Sequence, residues 1–303
     1  MSRTLAYTVL DVFAERPLEG NALAVFHDAH ALSDEEMQRL ARETNLSETT
    51  FIFPSDAETE QREGVRVRIF TTQEELPFAG HPTLGTATWL YLNHPRLRGA
   101  ETITLRLNVG KITVRFDARE ESAEGVRGTM TQNDPVFGAA HDRGEVARAV
   151  GLHVDDLSAD YPPQTVSTGV PFCIVLLRSL AVSQRLRLVQ HEAQAWAAKN
   201  DAQFFYCIAP LSEPEEGGAD WHARMQFYSG EDPATGSAAG CCIAWLVKMG
   251  LVASGKPVVI EQGIEIERPS RIGVEATLEG ERVHSVRVSG CTISVAQGRF
   301  FLP

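Results

Sequence analysis

The chain lacks any apolar run approaching the ~20 residues that a membrane-spanning helix requires. Its opening, MSRTLAYTVLDVFAE, shows no extended apolar stretch before Asp11 and so no secretory leader or anchor. No membrane partner and a cytoplasmic location are therefore expected. The five cysteines, Cys173, Cys207, Cys241, Cys242 and Cys291, are odd in number and never spaced as CxxC. That pattern argues against a disulfide framework and against a zinc site, leaving them as small reduced core residues. Basic residues are outnumbered 28 to 40, the formal net charge is −12, and no Lys/Arg stripe is present to follow phosphates. Nucleic acid is thus not an expected partner. A GxSxG elbow is also missing around Ser237, which removes a hydrolase nucleophile from consideration.

What is present fits an ordinary globular protein: 43% apolar and 22% charged residues over 303 positions, long enough for two domains. Alternating, β-branched segments at 7–13, 23–26, 50–53, 65–70, 102–107 and 111–116 predict half-buried strands. Ser33 with Glu36 three residues on forms a capping-box pattern. Met37, Leu40 and Ala41 then fall on one face of a helix expected to end near Thr44. Two stretches, 83–92 and 238–249, are rich in Ala, Gly, Cys and Thr and apolar on most faces, which marks helices buried all round.

The order repeats. Residues 169–177 answer 20–26, a helix expected over 183–199 answers the Ser33 helix, and Asn200 answers Asn45. LPFAGHPTLGTATWL, with Gly80 and His81, is matched by EDPATGSAAGCCIAWL, with Gly236 and Ser237. The shifts, 149 from Gly20 to Gly169, 155 for the asparagines, 156 from Gly80 to Gly236 and 153 from Gly110 to Gly263, keep the same order and are steady enough to indicate duplication. Each half is predicted to be a curved, mainly antiparallel sheet around one central helix, with a boundary in the acidic stretch 118–128 and a solvated loop at 212–218. The helix starts are predicted to face a cleft between the halves.

At a helix start, unpaired N–H groups and the dipole favour an anion, and glycine lets it approach. Gly80 with His81, and Gly236 with Ser237, are so placed, which points to a small carboxylate as ligand. Binding a carboxylate through N–H groups withdraws charge and acidifies a neighbouring C–H, so a proton acceptor is needed. Glu48, in NLSETTFIF, follows the first helix and sits among Leu46, Phe51 and Phe53. Apolar surroundings raise a carboxyl pKa toward neutrality, which suits a group that takes and returns a proton. The register matches Glu48 with Gln203, which cannot exchange a proton, so one base and a one-face isomerisation are expected. Asp232 could orient a substrate amine or hydroxyl, or simply begin an Asp-Pro turn; His81 could donate to a substrate oxygen or satisfy a loop carbonyl.

The runs DVFAERPLEGNALAVF, NLSETTFIF, ELPFAGHPTLGTA, STGVPFCIVLL and EDPATGSAAG cover nearly the whole chain, and together they resemble the PhzF family. The resemblance implies an α+β, diaminopimelate epimerase-like fold of two pseudo-symmetric domains, each a mostly antiparallel barrel-like sheet around a central helix. On that basis the domains are expected at 1–120 and 121–303, the C-terminal strand near 291–303 being a piece that could complete the first. It places Glu48 on the family's general acid/base and His81, Asp232 and Ser237 on substrate-positioning residues. Gly80 and Gly236 fall on the backbone donors. A site without cofactor or metal, a small carboxylate or cyclic amino acid as substrate, and a homodimer are further implications. Ala79 and Thr235 stand where related epimerases carry catalytic cysteines, which disfavours thiol racemisation. Two other readings stay open: a two-base epimerase using Asp232 opposite Glu48, and a catalytically silent binding protein.

Overall fold

The computed structural model describes residues 3–117, 125–211, 218–227 and 230–302. The sequence-based boundary at 120/121 and most of the loop at 212–218 lie outside the described residues. The chain divides into two compact units: Met1–Thr131 with Ser289–Pro303, and Gln132–Val288.

Unit 1 contains β1 (Arg3–Val12), β2 (Asn21–Phe26), α1 (Asp34–Thr44), β3 (Glu48–Phe53), α2 (Ala57–Glu63), β4 (Val65–Phe70), β5 (Glu75–Leu76), α3 (Gly80–Asn93), β6 (Thr102–Leu107), β7 (Gly110–Phe116) and β8 (Val126–Thr131). The sheet runs β1-β2-β3-β4-β6-β7-β8 and closes through the last strand of the chain, whose residues 292–302 pair antiparallel with β1. Most neighbours are antiparallel. β2 and β3 are parallel, which requires a crossover, and α1 supplies it.

Alternation sets which side chains face in: Val65, Val67 and Ile69 of β4 are buried, while Arg66 and Arg68 point to the other face. α3 fills the barrel, with Gly80 to Thr88 and Leu90 all buried. Small residues make this possible, since a Cβ on Gly85 would lie 2.6 Å from Leu23 and 2.8 Å from Val12. α1 packs outside. Ser33 accepts from the Glu36 N–H, the Glu36 carboxylate accepts from the Ser33 N–H, and Asn45 ends the helix at φ 52°. Met37, Leu40 and Ala41 bury against Phe26, Phe51 and Phe70. Full burial of Met37 or Leu40 contributes roughly 1.5–3 kcal/mol each.

Unit 2 contains β9 (Val136–Ala140), α4 (Arg143–Ala149), β10 (Gln164–Ser167), β11 (Pro171–Leu176), α5 (Leu180–Arg185), α6 (Gln190–Ala197), β12 (Phe204–Pro210), β13 (Trp221–Arg224), β14 (Gln226–Phe227), β15 (Gly230–Glu231), α7 (Gly236–Lys248), β16 (Val258–Gln262), β17 (Ser270–Glu279) and the first residues of β18 (Arg282–Leu302). Its sheet order is β18-β17-β16-β13-β12-β11-β10-β9. α7 is buried from Gly236 to Val247 and packs on β17, β11 and β10. β11 and β12 are parallel, as β2 and β3 are in unit 1, and β13 and β16 are parallel, as β4 and β6 are, so the duplication extends to both parallel steps of each unit.

One expectation needs correction. The helix predicted over 183–199 is two helices, α5 and α6, parted by an extended link. The link's N–H groups are taken elsewhere: Leu188 N–H donates to Gln226 Oε1 at 2.7 Å and Val189 N–H to the Ala149 carbonyl at 2.9 Å. Tertiary partners thus outcompete helical ones. Among the described residues, no helix is long and apolar enough to cross a membrane.

Candidate functional site

Glu48 is the first residue of β3, three positions after the left-handed Asn45 that turns the chain out of α1. The entry is pinned by Thr44, whose hydroxyl lies 2.8 Å from that of the buried Thr49. The Glu48 side chain is 15% exposed and so keeps access to solvent or ligand. Its Oε2 lies 3.5 Å from Nε2 of His81, the second residue of α3.

His81 is 2% exposed. Burial lowers its pKa to about 3, so the imidazole is neutral across the physiological range. Asn21, the first residue of β2, presents its side-chain N–H₂ to His81 Nδ1 at 3.2 Å. An amide nitrogen only donates, so Nδ1 is the acceptor and the proton sits on Nε2, the nitrogen facing Glu48. The two are therefore a carboxyl group beside a neutral donor. Ala79, the N-cap of α3, supplies no side-chain cap to the N–H groups of the first turn.

In unit 2, Asp232, Gly236 and Ser237 share one loop-to-helix element. Asp232 and Ser237 are each 5% exposed, and Thr235, the N-cap of α7, makes no side-chain cap. The Thr235 hydroxyl instead donates to Asp232 Oδ2 at 2.6 Å. Gln262, fully buried at the end of β16, fixes this loop. Its Oε1 accepts from the Thr235 N–H at 3.1 Å and from the Tyr206 hydroxyl at 3.1 Å, and its Nε2 donates to the Asp232 carbonyl at 2.8 Å and to Thr235 Oγ1 at 2.9 Å. Ser270 donates to the Pro233 carbonyl at 2.8 Å. Below the loop, Arg224 makes a forked pair with Glu231 at 2.8 and 2.6 Å. His222 is held between Glu261 at 2.8 Å and Glu265 at 3.0 Å. Burial opposes the His222 charge, but the two carboxylates outweigh it and raise its pKa to about 9.

The sequence-predicted residues thus fall into two groups: Glu48, Gly80 and His81 in unit 1, and Asp232, Gly236 and Ser237 in unit 2. Gln203, the register partner of Glu48, is exposed just before β12. The thiols take no comparable position. Cys241 is wholly buried near the Thr168 hydroxyl, and burial raises its pKa to about 11; Cys242 is shifted upward in the same way. Among the described residues, no group of three or more His, Cys, Asp or Glu is arranged to hold a metal ion. Sequence reasoning missed Asn21 and Gln262. Asn21 carries a weak signal in the Gly20-Asn21 turn, whereas a single Gln closing VVIEQ carries none.

Two units, each wrapping a barrel-like sheet about a buried helix of small residues, define an α+β protein of the diaminopimelate epimerase-like fold. Residues 10–298 match the PhzC-PhzF model, phenazine biosynthesis-like protein, and the chain belongs to that family. It is 37% identical to the trans-2,3-dihydro-3-hydroxyanthranilate isomerase of Pseudomonas aeruginosa, over 98% of this chain and 99% of that one. A solved structure described as a predicted epimerase from Pseudomonas aeruginosa superposes with a TM-score of 0.82 at 38% identity, covering 98% of this chain and 99% of the other. The Bacillus anthracis phenazine biosynthesis protein of the PhzF family superposes with a TM-score of 0.83 at 26% identity, over 99% and 100% of the two chains. The chain is an isomerase, and its substrate is a small molecule.

Proposed function

We propose that the chain moves a proton between carbons of a small carboxylate substrate without a cofactor, with Glu48 as the single acid/base. Ionised Glu48 takes a proton from carbon, the C–H electron pair shifts to form a new double bond as the old one migrates, and Glu48 returns the proton to a second carbon on the same face. The observation that carries this reading is the 3.5 Å approach of Glu48 Oε2 to Nε2 of a histidine that is neutral and carries its proton on that nitrogen. With Nδ1 accepting from Asn21 and the proton on Nε2, His81 offers no free lone pair, which favours the carboxyl group as the proton carrier of unit 1. A donor beside it stabilises the carboxylate and the negative charge that develops on the substrate.

In this reading the helix-start N–H groups at Gly80 and Gly236 serve as donors to substrate oxygens, and Asp232 and Ser237 as positioning groups for polar substituents. The assembly proposed from family resemblance is a homodimer. The first compound to offer is trans-2,3-dihydro-3-hydroxyanthranilate, because the 37%-identical relative is named for it. Incubation in heavy water with this compound and a panel of cyclic and acyclic amino acids, wild type beside Glu48→Gln, tests the role. Deuterium entering one carbon, with the wild type alone, is the expected result.

A further inference from the structure

The outer face of the unit 1 sheet carries a cavity of about 410 Å³ lined by His30, Phe53, Ser55, Arg66, Arg68 and Arg106. Three arginines on one wall stand out in a chain of net charge −12. Strand pairing gathers them. Arg66 and Arg68 share the face of β4 opposite the barrel interior, and Arg66 is the register partner of both Arg106 on β6 and Phe53 on β3. α1 covers the neighbouring part of this face over Phe51 and Phe70 and begins at Asp34.

The three guanidinium groups are not equivalent. Arg68 is matched twice, by Glu75 at 2.8 and 2.6 Å and by Asp34 at 2.6 Å, and Arg106 is matched by Glu63 at 3.0 Å. Arg66 donates only to neutral acceptors, the Arg106 carbonyl at 3.2 Å and Asn108 Oδ1 at 2.5 Å, and among the described residues it forms no ion pair. Burial and the charges of Arg106 and Arg68 pull its pKa below the ordinary value, with Glu75 opposing. Two further groups of the wall are unsatisfied. Arg106 Nε and Ser55 Oγ are buried and have no hydrogen-bond partner among the described residues. A half-buried cation that no carboxylate matches, beside two buried polar atoms without partners, leaves a place for a negative group.

We propose that this cavity binds the oxyanion group of a small molecule, which accepts from Arg66 and Arg106 and contacts the Ser55 hydroxyl. Phe53 and His30, packed edge to face at 5.7 Å, give the remainder of the ligand an apolar wall. The cavity is separate from Glu48. Glu48 opens β3 and Phe53 closes it, a run of about 16 Å at ~3.3 Å per residue.

The test is thermal denaturation of the full chain titrated with inorganic phosphate or with malonate, chloride holding the ionic strength constant. Wild type is expected to show a saturable rise in Tm with one or both anions, and the responding anion identifies the group bound. Arg66→Gln should lose the rise and, because it removes the unmatched charge, melt at or above the wild-type temperature without anion. Ser55→Ala keeps the arginines and should shift the midpoint of the titration at least ~3-fold upward, which serves should Arg66→Gln not fold. No saturable rise in the wild type up to about 50 mM of either anion, or the same rise with the same midpoint in the variants, would overturn the proposal.

Discussion

Glu48 Oε2 lies 3.5 Å from His81 Nε2, and the other nitrogen of that ring accepts from Asn21. This short chain ties the first residue of β2, the first of β3 and the second of α3 into one unit. It also sets the His81 tautomer, neutral with its proton on Nε2.

His81 should remain neutral, with its proton on Nε2, from pH 5 to 9. Nitrogen-15 NMR of the ring reads this directly, and a titration near pH 6.5 would contradict it. Its lowered pKa, about 3, also has a stability consequence of definite sign. Between the ordinary value of 6.5 and about 3 the unfolded chain binds the extra proton, so stability is full above pH 6.5 and falls as pH drops. At about 1.4 kcal/mol per unit of separation the limiting loss is ~5 kcal/mol. In His81→Gln this part of the acid sensitivity should be absent, while turnover falls by roughly 10- to 100-fold because the donor is displaced.

His222 has the opposite sign. Its pKa is raised to about 9 between Glu261 and Glu265, so its contribution is complete below pH 6.5 and is lost as pH rises through 9. The limiting effect is ~3 kcal/mol. Wild type should lose Tm between pH 7 and 10 more steeply than His222→Gln. Parallel curves would show that the buried ion network does not depend on this proton.

Gln262 uses both ends of its amide on the loop that carries Asp232. Gln262→Leu keeps the bulk and leaves the Thr235 N–H and the Asp232 carbonyl unmet, which should cost about 2–4 kcal/mol in urea unfolding. If the loop positions substrate, kcat/KM should fall further than stability explains, and Gln262→Glu should recover part of both. Unchanged kinetics at full stability would remove Gln262 from that role.

These tests separate what the residues announce from what they do not. The Ser33–Glu36 capping box and the αL Asn45 are local chemistry, so the limits of α1 were legible. α3 and α7 were legible because a helix made of small, apolar residues has nowhere to go but inside a sheet. The break between α5 and α6 was not, since it depends on Gln226 and Ala149, 38 and 40 positions from their donors. The same holds at the site. Glu48 and His81 stand in recognisable runs, but their contact, the Asn21 amide that orients the ring and the Gln262 amide that holds Asp232 arise only when distant strands are brought together.

The most direct measurement of the central claim is the position and extent of deuterium uptake during turnover in heavy water. With Glu48 as the single proton carrier, wild type places deuterium at one carbon of the isomerised product, and folded Glu48→Gln places none above the uncatalysed rate. Equal uptake by wild type and Glu48→Gln would contradict the account.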